Sequence, residues 1–216
     1  MFLKKWEVFQ LAEPQKALKI VEKEKPKVAK GEVLIKVENA AMNFFDILLC
    51  KGEYQEKPEL PFTPGAELAG VIEDEGESNQ FRKGQRVIAT PQLPNGAYSQ
   101  YVAVNEENVF PIPDSMDLKD AASMFVTYHT VYYALKQCTT LKEGETLLVH
   151  AASGGVGSAA VQIGKAFGAT VIATAGSDEK VQVSREIGAD YAINYREEDF
   201  VQKVKEITNG KGADVV

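Results

Sequence analysis

The sequence has little of the chemistry from which disulfides and metal sites are built. Its 216 residues include two cysteines, Cys50 and Cys138, which lie far apart and form no Cys-x-x-Cys motif. Two free thiols in a reducing compartment are the simplest interpretation. The two histidines, His129 and His150, each lack a second candidate ligand at metal-binding spacing. The sequence therefore predicts free cysteines and no metal site.

Long apolar runs and an excess of positive charge are also missing. No apolar run approaches the ~20 residues that a membrane helix needs, and the N-terminus lacks the apolar segment of a signal peptide. The net charge is −7 and the pI is about 5.1, so the chain offers no basic face for nucleic acid. We therefore predict a globular protein of the cytoplasm, with neither a membrane nor a nucleic acid as its primary partner.

The most informative feature that is present is a glycine-rich turn between two different patterns. Thr146–His150 is an apolar run typical of a strand, and Ala151–Gly157 is the turn that follows it. Ser158–Phe167 then has helical composition, and Val171–Thr174 is typical of a second strand. A strand, tight turn, helix and parallel strand form a dinucleotide-binding unit, because the helix N-terminus offers N–H groups and partial positive charge to a pyrophosphate.

The turn matches the dinucleotide fingerprint with one departure. It reads Ala152-x-Gly154-x-x-Gly157, with alanine at the first of the usual glycine positions. Gly154 would let the backbone approach the pyrophosphate, and Gly157 would let the helix pack closely on the strand. An ordinary strand-to-helix turn is the alternative interpretation. The predicted cofactor-binding residues of the turn are Ala152, Ser153, Gly154, Gly155, Val156 and Gly157.

The residues after the second strand distinguish the two nicotinamide cofactors. An NAD site places a carboxylate ~20 residues past the glycines to hold the ribose 2′-hydroxyl. Here the strand ends in Ala173–Ser177 without one, and Asp178 and Glu179 come later, where the first turn of a helix favours acids. Ser177 can donate to a 2′-phosphate and Lys180 can supply positive charge, which favours NADP(H). Alternatively, Lys180 is a solvated helix lysine.

Two patterns divide the chain into two predicted domains, residues 1–122 and 123–216. Short strand-like runs between Gly, Pro and Asn turns fill the first, which is typical of a β-rich, partly barrel-like domain with one helix at Phe44–Lys51. Helices and strands alternate in the second, as in a doubly wound α/β fold. Further predicted elements of this part are the helices Tyr128–Gln137, Asp178–Ile187 and Glu197–Thr208 and the strands Tyr191–Asn194 and Ala213–Val216.

The predicted α/β domain ends within its fourth strand. A doubly wound sheet normally continues with two more strands and their helices. We therefore expect a Rossmann doubly wound domain that is truncated after its fourth strand.

Short motifs occur in a specific order along nearly the whole chain, from Glu32 to Val216. They are Gly31-Glu-Val-Leu-Ile, Asn43-Phe-Phe-Asp46, Gly52-Glu-Tyr54, Pro64-Gly-Ala-Glu67 with Ala69-Gly70, Gly84-Gln-Arg-Val87, Gly96-Ala-Tyr-Ser-Gln-Tyr101, Thr130-Val-Tyr-Tyr133, the glycine turn and Ile193-Asn-Tyr-Arg-Glu-Glu198. In this order they resemble the medium-chain dehydrogenase/reductase superfamily, and within it the zinc-independent NADPH:quinone oxidoreductases, the zeta-crystallin-like branch. The resemblance implies a GroES-like N-terminal domain, a Rossmann domain, NADP(H) in the cleft between them, and a homodimer.

The resemblance also bears on the chemistry. In the zinc-dependent alcohol dehydrogenases of this superfamily, a Cys before the first helix and a His in a Gly-His-Glu segment hold the catalytic metal. Here the matching positions are Met42 or Asn43 and Ala66, and the four-cysteine structural zinc lobe is missing. Without a Lewis acid a simple ketone is hard to reduce, whereas a quinone or an α,β-unsaturated carbonyl delocalises the incoming charge. Such a small-molecule acceptor is therefore expected.

Asn43 and Tyr54 are the predicted catalytic residues, because both match family positions near the nicotinamide. Tyr54 would orient the acceptor or deliver a proton through its hydroxyl. Alternatively, it is a loop aromatic that packs on Pro58 or Pro61. Asn43 would also contact the cofactor, or alternatively it is only the N-cap of the helix that starts at Phe44.

Three further residues are assigned by the same resemblance. Thr130 matches a family position that contacts the nicotinamide amide. The alternative is that it is an ordinary helix threonine that faces a neighbouring element. Tyr195 matches a position near the adenosine phosphate, together with Ser177 and Lys180, and alternatively covers the sheet at a strand end. Asp46 is more consistent with a first-turn acid of the first predicted helix than with catalysis.

Three functions remain open from the sequence. The leading one is NADPH-dependent reduction of quinones or α,β-unsaturated carbonyls. The second is an enoyl-thioester reductase of the same superfamily, which shares the Asn-x-x-Asp and Gly-x-Tyr arrangement. The third is a non-catalytic NADP(H)-binding or structural protein.

Overall fold

The chain is divided into two compact units in a computed structural model that describes residues 2–216. The first unit reaches to Val126 and the second is Thr127–Val216. The sequence patterns place the domain boundary slightly earlier, between residues 122 and 123. Each unit has its own sheet and its own cluster of buried apolar side chains.

An antiparallel hairpin begins the first unit. Strands β1 (Phe2–Val8) and β2 (Leu18–Glu24) pair with Trp6 opposite Ile20, and a short helix, α1 (Pro14–Ala17), lies in the connection. Proline suits the start of α1, because the first helical position needs no N–H donor. One turn of helix is too short to produce a periodic pattern, and the sequence analysis does not predict α1.

A five-stranded antiparallel sheet forms the centre of the first unit. The strands are β3 (Glu32–Ala40), β4 (Leu68–Asp74), β5 (Arg86–Ala89), β6 (Tyr101–Asn105) and β7 (Val109–Pro111), and their spatial order is β6-β3-β4-β5-β7. Alternate residues of β5 and β6 are buried, as the pleat of a half-buried strand requires.

Two helices accompany this sheet. Helix α2 (Phe44–Lys51) has the bounds that the sequence predicts, and Gly52 ends it with a φ of 71°, in the left-handed region that favours glycine. Its Leu49 and Cys50 pack with side chains of β1 and the following loop. Helix α3 (Leu118–Ala122) packs its alanines against β4, which keeps it within the first unit.

The second unit is built from alternating helices and parallel strands. Helix α4 (Phe125–Tyr133) starts at the boundary and is followed by a π-helical turn at Ala134–Cys138. The later elements are β8 (Thr146–Val149), α5 (Gly155–Ala166), β9 (Thr170–Ala175), α6 (Asp178–Glu186), β10 (Tyr191–Asn194) and α7 (Phe200–Ile207).

The parallel sheet has the strand order of a dinucleotide-binding fold. β10, β9 and β8 are neighbours in that order, and Leu147 of β8 also forms a parallel bridge with Val215. This corresponds to the order 3-2-1-4 of the Rossmann fold. Among the described residues, the predicted fourth strand Ala213–Val216 pairs only through this bridge.

Three helix starts differ from the sequence prediction. Helix α4 begins at Phe125 rather than Tyr128, and the starts of α5 and α7 differ for local reasons. Helix α5 begins at Gly155 rather than Ser158, because residues of the glycine turn themselves adopt the first helical turn. Helix α7 begins at Phe200 rather than Glu197, because the Asp199 side chain accepts hydrogen bonds from two main-chain N–H groups and so caps the helix there.

Within residues 2–216, every helix is too short or too polar to cross a lipid bilayer.

Candidate functional site

The glycine turn after β8 is held by main-chain hydrogen bonds. Ala152 N–H donates to the carbonyl of Thr174 over 3.1 Å, which ties the turn to the end of β9. Gly154 N–H donates to the carbonyl of Ala151 over 2.9 Å. Ala151 has a φ of 50°, a conformation that alanine rarely adopts, so the turn is sharp although its first fingerprint position is not glycine. Ala152 itself is fully buried in the core.

The N-terminus of α5 is open to an acceptor from outside the helix. Gly154 is its N-cap and supplies no side-chain hydrogen bond, and the first intrahelical bond runs from Ser158 N–H to the Gly154 carbonyl over 2.7 Å. The preceding N–H groups have no acceptor within the helix. Gly155 and Val156 are exposed, so their N–H groups and the positive end of the helix dipole lie at the surface, whereas Gly154 N–H is bonded to Ala151.

The two fingerprint glycines serve different purposes. A Cβ at Gly157 would lie 2.3 Å from the carbonyl oxygen of Ala151, so the buried helix start approaches the turn too closely for any side chain. At Gly154 a Cβ would meet only that same oxygen, at 3.3 Å, among the described atoms within 4 Å. The outer surface of the turn is thus bare backbone. It fits a diphosphate, which needs close access to N–H groups.

The carboxyl end of β9 leads into Ser177 and then into two exposed acids, Asp178 and Glu179, in the first turn of α6. Ser177 is the N-cap of α6, and its hydroxyl oxygen accepts from Lys180 N–H over 3.4 Å. Asp178 lies in the first turn of α6 and accepts from the side-chain amide of Asn194 over 2.9 Å. The first acid after β9, Asp178, is thus hydrogen-bonded to Asn194 through one of its carboxylate oxygens.

Two side chains that follow β10 lie over Gly176. A Cβ at Gly176 would be 2.6 Å from the hydroxyl oxygen of Tyr195 and 3.5 Å from Nε of Arg196. Parallel strands end at the same edge of a sheet, which brings this hydroxyl and guanidinium next to the residue preceding Ser177. The structure therefore places Tyr195 next to Gly176, and its role at a phosphate stays a prediction.

In the first unit, Asn43 is held from both its main chain and its side chain. Its N–H donates to Asp46 Oδ2 over 2.8 Å, and it is the N-cap of α2. Its side-chain Nδ2 donates to Glu67 Oε1 over 2.9 Å. Asn43 remains partly exposed, so the capping interpretation and a ligand contact are compatible.

Asp46 is a buried acid that organises this corner of the first unit. Its carboxylate accepts from Asn43 N–H, from Gly65 N–H over 3.1 Å and from the Tyr98 hydroxyl over 2.7 Å. Burial raises the pKa of Asp46, and these hydrogen bonds oppose that rise. Burial and the bond to Asp46 also raise the pKa of Tyr98. The structure thus shows Asp46 as the first-turn acid that the sequence favours.

Tyr54 and Thr130 occupy different surroundings. Tyr54 is half-buried and packs its ring on Phe45, with the ring centroids 5.3 Å apart. Tyr54 packs with the apolar cluster that includes Leu49 and Cys50 of α2, and its aromatic partner is Phe45 of the same helix. Thr130 is an exposed residue of α4 in the second unit.

The positions that match metal ligands elsewhere do not carry ligand chemistry here. Met42 is 88% exposed, and Ala66 has no donor atom in its side chain. Across residues 2–216, no three His, Cys, Asp or Glu side chains converge into a metal-binding group. His150 is exposed, and its Nδ1 lies 2.9 Å from the Thr174 hydroxyl.

Comparisons with known proteins agree with this architecture. The family described as "Alcohol dehydrogenase GroES-like domain" matches residues 29–114, and the family described as "Zinc-binding dehydrogenase" matches residues 155–216. Human quinone oxidoreductase is 38% identical over 186 residues, which are 86% of this chain and 56% of the human protein.

Solved structures resemble this chain over nearly its whole length. A probable oxidoreductase from Mycobacterium abscessus has a TM-score of 0.93 and 36% identity, covering 100% of this chain and 69% of that one. The chain belongs to the medium-chain dehydrogenase/reductase superfamily. Quinone oxidoreductase from Escherichia coli, solved in complex with NADPH, has a TM-score of 0.88 and 35% identity, covering 96% of this chain and 63% of that one.

This medium-chain dehydrogenase/reductase chain has the fold class that the sequence predicts, a GroES-like domain followed by a Rossmann-type domain. Its predicted placement beside the quinone oxidoreductases is also confirmed. The chain spans 56% of the length of the curated human relative.

Two candidate residues escape the sequence analysis. Arg196 carries a signal that was available, since it is a basic residue directly after the third parallel strand and strand ends meet at one edge. Glu67 carries no local signal of its role. Its partners Asn43 and Val126 are 24 and 59 residues away, and only the folded chain brings them together.

Proposed function

We propose that this protein is an NADPH-dependent oxidoreductase that reduces quinones or α,β-unsaturated carbonyls by hydride transfer without zinc. The observation that carries the proposal is the bare helix start at Gly154–Val156, which no side chain caps, together with a β9 strand that ends without a carboxylate before Ser177. The similarity to E. coli quinone oxidoreductase complexed with NADPH supports it.

The diphosphate is assigned to the turn Ala152–Gly157. The main-chain N–H groups at the start of α5 would donate to its oxygens, and the positive end of the helix dipole adds favourable electrostatic energy. Gly154 and Gly155 keep the surface low enough for this contact, because neither carries a Cβ. Gly157 has the separate task of letting α5 start against the turn.

The 2′-phosphate is assigned to four side chains around Gly176. Ser177 and Tyr195 offer hydroxyl groups, and Lys180 and Arg196 offer positive charge. Charge-assisted hydrogen bonds to phosphate are roughly twice as strong as neutral ones, so this set favours NADPH over NADH. With Asp178 bonded to Asn194, its carboxylate is held away from the role of a ribose-binding acid.

The acceptor is assigned to the side of the first unit that carries Asn43 and Tyr54. When bound, NADPH would supply the hydride, and the developing enolate or quinol anion needs hydrogen-bond donors. Tyr54 would orient the acceptor and donate a proton through its hydroxyl. The family resemblance assigns Asn43 to the nicotinamide end and, separately, Thr130 of the second unit to the nicotinamide amide. Since Ala66 has no ligand atom, a conjugated acceptor suits this side better than a simple ketone.

A homodimer, expected from the family resemblance, and a location in the cytoplasm, expected from the sequence, are parts of the same proposal. Light scattering of the purified protein would test the dimer directly.

The decisive experiment is NADPH oxidation by the purified protein with three acceptors, which are 1,4-benzoquinone, a simple enone and crotonyl thioester. We expect turnover with the quinone or the enone, faster with NADPH than with NADH. Turnover with the thioester alone would identify an enoyl-thioester reductase. Tight NADPH binding with no acceleration by any acceptor would overturn the catalytic proposal and leave a cofactor-binding protein.

A further inference from the structure

Glu67 is a deeply buried acid that bridges two distant segments. It is 1% exposed, which is unusual for a carboxylate. Its Oε1 accepts from Asn43 Nδ2 over 2.9 Å, and its Oε2 accepts from Val126 N–H over 2.9 Å. Among the ion pairs of residues 2–216, none includes Glu67. Its negative charge is therefore compensated by these donors rather than by a basic side chain.

The surroundings explain how the carboxylate is accommodated. A buried charge without an ionic partner is costly, and hydrogen bonds from N–H groups offset part of that cost. Val126 lies in the first turn of α4 (Phe125–Tyr133), where the helix dipole also favours a negative group. Glu67, which lies just before β4, thus caps the Val126 N–H group in the first turn of α4.

The consequence for Asn43 follows from hydrogen-bond chemistry. An asparagine amide has one donating end and one accepting end, and the two orientations differ by a rotation that exchanges them. A carboxylate only accepts, so Glu67 requires Nδ2 of Asn43 to face it. The amide oxygen Oδ1 of Asn43 must then point away from Glu67. A neutral glutamine could accept or donate, and would not enforce this choice.

We propose that Glu67 is a positioning residue for the reaction, because its carboxylate selects the orientation in which Asn43 presents its amide oxygen to the bound ligand. The proposal rests on the proposed function, which assigns Asn43 to the nicotinamide end. Glu67 touches neither cofactor nor acceptor in this role. Glu67 acts only through Asn43, so removing Asn43 should also remove the effect of changing Glu67.

A double-mutant cycle tests the coupling. Glu67→Gln is nearly isosteric, and we expect it to lower kcat/KM roughly tenfold, since contacting side chains in one hydrogen-bond network couple strongly. In an Asn43→Ala background the same change should have almost no further effect, because the group that Glu67 orients is gone. Equal losses in both backgrounds would overturn the proposal, since Glu67 would then act independently of Asn43.

Glu7→Gln is the matched control. Glu7 is the other deeply buried glutamate of the first unit, and it pairs with Lys5 and Lys23 instead of an asparagine. We expect Glu7→Gln to lower the thermal unfolding midpoint while kcat and KM of the folded protein stay unchanged. If Glu7→Gln lowered kcat/KM as much as Glu67→Gln does, the loss at Glu67 would be a general consequence of destabilisation.

A readout without turnover separates this proposal from the proposed function. In the ¹⁵N NMR spectrum of the wild-type protein, the side-chain amide protons of Asn43 should exchange slowly, and Glu67→Gln should shift and expose them. Rapid exchange of these protons in the wild type would overturn the positioning role, even if the variant failed to fold. A wild-type protein with protected Asn43 protons and no NADPH oxidation would instead contradict the proposed function alone.

Discussion

The two candidate half-sites of this protein are built on different principles. The cofactor side, in the second unit, consists mainly of main-chain N–H groups at the start of α5, exposed by glycine. The acceptor side, as we propose it in the first unit, is supported by a polar cluster of Asn43, Asp46, Glu67 and Tyr98, whose side chains come from three separate segments. Backbone recognition depends on local conformation, whereas side-chain recognition depends on long-range folding.

The comparison predicts different tolerances to substitution. On the cofactor side, a single methyl group placed against the main chain should reduce both stability and NADPH binding. On the acceptor side, the removal of one polar group should leave the fold intact and cost the free energy of one hydrogen bond. The four predictions below run from the largest expected effect to the smallest.

Gly157→Ala should have the largest effect. The new Cβ would lie 2.3 Å from the Ala151 carbonyl oxygen, so the turn or the start of α5 must move. We expect a loss of about 3 kcal/mol in the free energy of unfolding, with weaker NADPH binding by the folded fraction. Thermal unfolding measures the loss of stability, and fluorescence titration with NADPH measures the loss of affinity.

Gly164→Ala is the control for Gly157→Ala. Its Cβ would meet the end of the Leu147 side chain, inside α5 and away from the turn. It should reduce stability without weakening NADPH binding. If both variants lost NADPH affinity equally, the loss in Gly157→Ala would be a general effect of packing and not of backbone recognition at the turn.

Lys180→Glu should reverse part of the cofactor preference. A carboxylate would face the 2′-phosphate assigned to the Ser177–Lys180 turn, and we expect the NADPH-over-NADH preference to fall by roughly 30-fold. The ratio of kcat/KM for the two cofactors measures it. Lys205→Glu, on the exposed face of α7, is the matched charge change and should leave the ratio unaltered. An unaltered ratio for Lys180→Glu would show that the phosphate pocket is assigned wrongly.

Tyr98→Phe should have a moderate effect on stability. It removes the 2.7 Å hydrogen bond to Asp46 and leaves a buried carboxylate with one donor fewer. We expect a loss of about 1–2 kcal/mol in the free energy of unfolding, measured by denaturant titration at pH 7. Tyr101→Phe removes a hydroxyl from a half-buried tyrosine at the start of β6 and should cost less. Equal costs would mean that the Asp46 bond adds nothing specific.

The weakest predicted effect concerns pH and the surface pair of Lys165 with Asp190. Although partial burial opposes it, the hydrogen bond from Lys165 at 2.7 Å lowers the pKa of Asp190 below 3.8. An acid with a lowered pKa stabilises the folded state above its unfolded pKa, and this contribution disappears as pH falls through the folded value.

Asp190→Asn should therefore cost less than about 1 kcal/mol at pH 7, because the pair is well exposed to solvent. The cost should shrink below pH 3.8, where the wild type also becomes protonated. Urea titrations at several pH values measure it, with Glu198→Gln as the control for an exposed pair. A difference that grew towards acid pH would contradict the sign of the shift.

The sequence predicts the strands of the second unit closely. The bounds of β10 agree with the pattern, and those of β8 and β9 agree within one residue at each end, because alternating apolar strands and helices produce clear local signals. In the first unit the bounds of α2 are predicted, yet the arrangement around it is not. Asp46 could be assigned as a first-turn acid, whereas its bonds to Gly65 and Tyr98 had no signal in the sequence.

By itself, the sequence determined the glycine turn, the missing acid after β9 and the family. These depend on residues that are close together in the chain and on the conformations that glycine allows. Only the tertiary structure decided which groups hold Asn43, and that Tyr195 and Arg196 lie over Gly176. The reason is that these contacts join segments far apart in sequence, and a buried carboxylate such as Glu67 has a defined role only after folding has removed water and brought its donors within 2.9 Å.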